Sequence, residues 1–206
     1  MQALTKGFLI AFEGVDQSGK RSQARLLAER LRKNSFKVNS LSFPIYSTVI
    51  GKEIQASLEG RRSYPLQVRH MLLAANRWEV KDEIERWLEQ GCFVVVNRYI
   101  YSNYAYGVSK GLDLDWLKAL DRGLPEPSLV ILLDITPHTS LVRKIRGRDV
   151  HERDLELLTK VRENYLQLAR SYNWIIINGE KPIETVHEDV WKAVKPFLPE
   201  SRSQHA

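Results

Sequence analysis

Short unbroken apolar runs alternate along this chain with longer stretches whose apolar residues recur every three or four positions, the pattern of buried strands joined by amphipathic helices. Phe8 to Phe12 is the first run, and after a glycine-containing break Ala24, Leu27 and Leu31 mark one face of a helix. Lys37 to Phe43 predicts a second strand, ended by Pro44 because proline cannot donate to a ladder. Thr48 to Leu58 predicts a short helix stopped by Gly60. From Pro65 one long helical pattern runs through Leu66, Met71, Leu72, Ala75, Val80, Ile84, Trp87 and Leu88 until Gly91 closes it. Phe93 to Val96 is apolar throughout, as in a strand covered on both faces. Short helices follow over Tyr101 to Ser109 and Asp113 to Leu120, and the turn Gly123 to Ser128 feeds a strand over Leu129 to Asp134. Pro137 opens another helix, and Leu155, Leu158, Val161, Tyr165 and Leu168 mark a further one. Trp174 to Asn178 is the last strand and Ile183 to Val194 the last helix. Strands separated by helices predict a three-layer α/β/α fold, with a parallel sheet of about five strands and helices on both faces. Such sheets gather ligand groups at the carboxyl ends of their strands, where Asn97, Arg98 and Asp134 fall.

The 206 residues suit one domain, expected over 1–200, with 201–206 a disordered tail. A net charge of +6 suits a polyanionic ligand, and charge alone leaves nucleotide, nucleic acid and membrane headgroup open. Half of that charge sits in Arg143 to Arg153, RKIRGRDVHER, with five Arg or Lys against two acids. A solvated helix face has this composition; so does an arginine lid over about 143–153 that closes a reaction from water. Because the basic residues gather there and do not form a stripe with interleaved aromatics, nucleic acid is not an expected partner. A single cysteine, Cys92, within an apolar run, permits no internal disulfide and reads as core in a reducing compartment. The apolar runs are far shorter than the ~20 residues of a membrane helix, so no membrane association is expected and the chain reads as cytoplasmic.

The break after the first strand carries Gly14, four residues, Gly19 and Lys20, the spacing of a phosphate loop opening a helix. Gly14, Val15, Asp16, Gln17, Ser18, Gly19, Lys20, Arg21 and Ser22 are the candidate ATP-binding residues. Glycines let successive backbone N–H groups turn inward around a polyphosphate, Lys20 reaches the β and γ phosphates, and the positive helix end lies beneath the anion.

Six segments in order, FEGVDQSGK at 12–20, FPIYST at 43–48, LLAANRWE at 72–79, NRYIYSNYAY at 97–106, GLPEPSLVILLD at 123–134 and VRENYLQLA at 161–169, are similar to the thymidylate kinase family of the P-loop nucleoside monophosphate kinases. The resemblance spans residue 8 to about 196. It implies transfer of the γ-phosphoryl of ATP to dTMP, with Mg²⁺ accompanying ATP and two copies associating through the helix from Pro65 to Gln90. Residue by residue it implies that Asp16 binds the acceptor 3′-hydroxyl and that Arg98, helped by Tyr46, grips the acceptor phosphate. Arg77 would read the thymine edge, Asn103 would stand at a base-contacting position, and Tyr106 would crowd a ribose 2′-hydroxyl. Phe43, Pro44, Leu73, Asn97 and Ser102 complete the acceptor set, and Lys20, Arg21, Arg98, Arg146 and Arg148 are the catalytic candidates, with Arg143 and Arg153 as further lid arginines. Arg77 and Asp16 also fit structural ion pairs, and Tyr106 fits plain core.

Five positions depart from the family pattern. Asn97 replaces the Asp before Arg98, Arg21 the hydroxyl after Lys20, Leu73 the aromatic that stacks on thymine, and Ser128 the Asp of GLPxPD; Gln17 stands where some members have a basic residue. The first two each add +1, together the charge of one Mg²⁺, so the net charge facing the phosphates is kept without a tightly held metal; Arg21 is therefore expected to take over part of the metal's role and weaken dependence on Mg²⁺. Ser22, one step late, is the possible metal ligand. Two other readings stay open: a kinase for another monophosphate such as dUMP, and a nucleotide-binding protein that has lost catalysis.

Overall fold

The computed structural model describes residues 6–143 and 155–198. Five parallel strands lie in the order β2-β3-β1-β4-β5, with β1 Phe8–Glu13, β2 Val38–Ser42, β3 Phe93–Asn97, β4 Leu129–Asp134 and β5 Ile175–Asn178. This is the predicted sheet. Side chains alternate across it, so each central strand feeds two cores. Leu9, Ala11, Val94, Val96, Val130 and Leu132 face Tyr99, Tyr104, Leu117, Val161 and Tyr165. Ile10, Phe12, Val95, Ile131 and Leu133 face Leu27, Leu31, Val186 and Val190 on the other side.

Helix α1, Lys20–Lys33, and α9, Ile183–Val194, cover the second face. Leu27 and Leu31 are fully buried, at roughly 1.5–3 kcal/mol each relative to exposure. That packing aims the N-terminal end of α1 along the carboxyl edge of the sheet. The remaining helices are α2 Val49–Leu58, α3 Leu66–Trp78, α4 Lys81–Glu89, α5 Ile100–Ser109, α6 Leu114–Asp121, α7 Pro137–Arg143 and α8 Leu155–Ser171. Thr48 caps α2 by accepting from Gly51 N, and Asp113 caps α6 by accepting from Trp116 N. No helix among the described residues is long and apolar enough to cross a membrane.

One element differs from its expectation. The single long helix from Pro65 is two helices, separated at Glu79 and Val80, where Val80 leaves helical geometry at φ −120°, ψ 12°. The Glu79 carboxylate accepts from Asn76 Nδ2 at 2.8 Å and Thr48 Oγ1 at 2.7 Å, and Trp78 Nε1 donates to the Leu120 carbonyl at 2.9 Å. Those side-chain bonds fasten the end of α3 to its neighbours, while Ile84 of α4 is buried against the sheet. The apolar period continues across the joint because both helices bury the same kind of face, and period alone carries no sign of a change of axis.

Candidate active site

Gly14 and Gly19 shape the loop after β1 for different reasons. A Cβ on Gly14, at φ +141°, would lie 2.5 Å from the Leu133 carbonyl oxygen and 2.8 Å from Ser18 Oγ. At Gly19 no described atom lies within 4 Å of the built position, and the requirement is the backbone angle itself, φ +92°. A Cβ therefore meets the protein itself only at the first glycine. Lys20, 5% exposed, folds its ammonium onto the loop, donating to the Val15 carbonyl at 2.6 Å and to Ser18 Oγ at 3.2 Å.

A cleft of about 590 Å³ opens over this loop, lined by Asp16, Gln17, Ser18, Gly19, Lys20, Arg21 and Ser22 together with Asn97 and Arg98 from the end of β3. Arg21 is exposed and Ser22 half-buried. Gly14 and Val15, the other two candidate ATP-binding residues, are buried and do not line the cleft. Also lining it are Gly179, Lys181, Ile183 and Val186, a group the sequence reading passed over. Its signal was the polar turn GEKP directly after the last strand. Arg143, at the end of α7, donates to the Gln17 carbonyl at 3.2 Å and the Gly179 carbonyl at 2.8 Å, tying the loop to the turn after β5. The other lid candidates, Arg146, Arg148 and Arg153, lie outside the described residues.

A second cavity of about 210 Å³ adjoins the first. Every candidate acceptor residue except Asn97 lines it: Asp16, Phe43, Pro44, Tyr46, Leu73, Arg77, Arg98, Ser102, Asn103 and Tyr106. Asp16 and Arg98 line both cavities. They form an ion pair, and the Tyr106 hydroxyl donates to the other Asp16 oxygen at 2.6 Å. Burial opposes charge on Asp16, but Arg98 first and Lys20 next hold its pKa below the ordinary carboxylate value. Burial likewise opposes charge on Arg98, and Asp16 more than offsets it. Arg98 sits in the left-handed region at φ +62°, with its N–H donating to the Phe12 carbonyl at 3.0 Å.

Arg77 is buried and clasped by Asp121, through Nε at 3.0 Å and Nη2 at 2.7 and 3.0 Å, so it is at once a structural ion-pair partner and part of the cavity wall. Asp134, expected among the ligand groups, is taken up by a bidentate pair with Arg162 at 2.7 and 2.8 Å. Ser128 is structural, its Oγ accepting from Leu9 N at 3.3 Å beside β1.

Among the described residues no three His, Cys, Asp or Glu side chains gather to hold a metal ion. Asn97 Oδ1 is buried without a partner among the described residues, while its Nδ2 donates to Ser42 Oγ at 2.7 Å. That oxygen and the Ser22 hydroxyl are neutral oxygen donors of the kind Mg²⁺ takes, short of a carboxylate cage.

His70 is a second group absent from the sequence reading, because a histidine on an apolar helix face carries no sign of its partner. It is 2% exposed, and its Nδ1 lies 2.6 Å from Asn103 Oδ1. Asn103 Nδ2 donates to the His70 carbonyl at 3.3 Å. Burial chiefly pulls the ring pKa down to about 4, against the Asn103 bond, with Lys110, Arg77 and Arg69 adding to the depression. The unfolded chain, titrating near 6.5, takes up a proton that the folded chain refuses until about pH 4. Stability is therefore full above pH 6.5, falls as pH drops toward 4, and levels below. At 1.36 kcal/mol per pKa unit the loss is about 2 kcal/mol between pH 7.5 and 5. Urea unfolding at the two pH values is expected to show that loss shrink in His70→Gln, and an identical loss in both proteins would refute it.

Comparison with known proteins agrees with this geometry. The sequence model of the family described as "Thymidylate kinase" matches residues 12–190. The thymidylate kinase of Plasmodium falciparum is 38% identical over 191 residues, covering 92% of this chain and 90% of that one. The human thymidylate kinase is 36% identical over 190 residues, covering 91% and 90%. A solved structure of thymidylate kinase from Candida albicans superposes with a TM-score of 0.84 at 30% identity, covering 95% of this chain and 96% of that one. With a phosphate loop, an adjoining second cavity and this similarity over nine-tenths of its length, the chain belongs to the thymidylate kinase family, whose members are phosphotransferases acting on dTMP.

Proposed function

We propose that ATP occupies the larger cleft and dTMP the smaller cavity, and that the γ-phosphoryl passes between them beside Asp16 and Arg98. The observation that carries this assignment is that those two side chains line both cavities. The loop amides of Gly14 to Ser22 and the Lys20 ammonium hold the donor phosphates. Arg98 offers a planar fork to the acceptor phosphate, for which charge-assisted bidentate contact is the strongest arrangement available. The acceptor phosphate is already an anionic nucleophile, so no general base is required. Catalysis is positioning and charge neutralisation, with Arg146 and Arg148 of the lid segment as further sources of positive charge.

Asp16, held by Arg98 and Tyr106, is the acceptor for the 3′-hydroxyl, and the Tyr106 ring crowds a 2′-hydroxyl. Asp121 engages Nε and Nη2 of Arg77, leaving Nη1 outside that pair for the thymine edge. Leu73, Phe43 and Pro44 supply an apolar wall for the base. Asn97 Oδ1 and Ser22 would hold Mg²⁺ carried on ATP, or its water, where the ion would supply Lewis-acid neutralisation of the phosphates, and Arg21 adds a fixed positive charge to the same cleft.

A coupled assay with ATP and a panel of monophosphates tests the reading. The expected order of kcat/KM is dTMP first, dUMP about tenfold lower for the missing methyl, and the ribose form of TMP and dCMP lower still. Equal constants for dTMP and ribose TMP would remove Tyr106 from its role. A preference for dUMP would make the protein a kinase for that nucleotide.

A further inference from the structure

Glu13 is the last residue of β1, fully buried, and lines neither cavity. A carboxyl group so placed costs free energy unless donors surround it. Three do: Tyr99 N–H at 2.8 Å to Oε1, and the Ser102 hydroxyl at 2.6 Å and Tyr165 hydroxyl at 3.1 Å to Oε2. The roles given above use none of these bonds.

Two of the three end at Arg98. Tyr99 supplies the peptide N–H directly after Arg98, whose φ of +62° is uncommon for any residue but glycine and persists only where its surroundings hold it. Ser102 gives its single hydrogen to Glu13, so its oxygen presents lone pairs, and Arg98 Nη1 donates to that oxygen at 3.2 Å. Burial first and Glu13 second push the Tyr165 hydroxyl well above its ordinary pKa, so it keeps the proton it donates.

We propose that Glu13 is a positioning residue for Arg98, fixing its left-handed backbone through Tyr99 N–H and its guanidinium through a Ser102 hydroxyl that the carboxyl group orients. The hydrogens that its two oxygens receive from Tyr99, Ser102 and Tyr165 are the working feature. An amide of the same shape keeps a bond to Tyr99 N but offers Ser102 a donor, which competes with Arg98 for the same oxygen. The inference rests on the reading that Arg98 holds the acceptor phosphate.

The test is steady-state kinetics of the full chain for Glu13→Gln, Ser102→Ala, the double variant and Arg98→Ala, with thermal midpoints beside them. Glu13→Gln is expected to raise KM for dTMP about tenfold and lower kcat, with KM for ATP within about twofold. The double variant is expected to be no worse than Glu13→Gln alone, because both changes break one chain of contacts. An unchanged KM for dTMP in folded Glu13→Gln overturns the proposal, as do fully additive effects, which a merely structural carboxyl would produce. If Glu13→Gln does not fold, Tyr165→Phe decides, since it removes one donor from the same network and lines neither cavity: about a threefold rise in KM for dTMP supports the proposal and no change overturns it. If Arg98→Ala raises KM for dTMP while Glu13→Gln does not, only the inference falls. If Arg98→Ala leaves KM for dTMP unchanged, the clamp reading and the inference fall together.

Discussion

Arg98→Ala is expected to cut kcat/KM for dTMP on the order of 1,000-fold, roughly 4 kcal/mol of lost transition-state stabilisation, while KM for ATP moves less than about threefold. The size follows from what the guanidinium touches. It is paired with Asp16, donates to Ser102 Oγ, and lies 5.4 Å from the centre of the Tyr106 ring, so it is held before any phosphate arrives. Such preorganisation leaves little reorganisation at the moment of transfer. The same substitution strips Asp16 of its main counter-charge, and burial then raises its carboxyl pKa, which weakens the 3′-hydroxyl contact as well. Arg98→Lys restores a charge without the fork and is expected to recover no more than about a tenth of the loss in log units. Separate KM values for the two substrates are the measurement. An unchanged KM for dTMP in a folded Arg98→Ala protein would mean that the acceptor phosphate lies elsewhere.

Turnover in excess chelator is the second large effect. The wild-type protein is expected to retain at least about 1% of its activity without free divalent metal, and Arg21→Ser to lose about 100-fold more under the same conditions while regaining a steeper response to added Mg²⁺. Arg21 is exposed and lines the larger cleft. A unit charge about 4 Å from a phosphate oxygen contributes ~1–4 kcal/mol between bulk water and an effective dielectric of 20, which brackets the expected factor. Binding offers an independent readout. Calorimetric titration with ATP in chelator is expected to show Arg21→Ser about tenfold weaker than wild type, with the gap closing when Mg²⁺ is present. Complete loss of wild-type turnover without metal, with equal ATP affinities, would sink the role assigned to Arg21.

Local signals survive the passage from chain to fold best where one residue type has one use. Gly14 and Gly19 mark the loop because their backbone angles are open chiefly to glycine. Phe93 to Val96 marks a central strand because four apolar neighbours have no solvent face to share. The break between α3 and α4 was hidden, since it depends on Glu79 meeting Thr48 from 31 residues earlier and on Trp78 meeting the Leu120 carbonyl. Asp121 as the partner of Arg77, and Arg162 as the partner of Asp134, were hidden for the same reason.

The order of strands and helices, the phosphate loop with Lys20, the placing of Arg98 at a strand tip and the family itself were all determined by the amino-acid sequence alone, because each rests on periodicity, backbone permissiveness or short motifs. Which carboxylates stay available and which are consumed was decided only by the tertiary structure: Asp16 between two cavities, Asp134 and Asp121 locked to arginines, Glu13 enclosed by Tyr99, Ser102 and Tyr165. The physical reason is range. A backbone preference acts over a few neighbouring residues, whereas burial, ion pairing and hydrogen-bond satisfaction depend on side chains that only the packed sheet brings together.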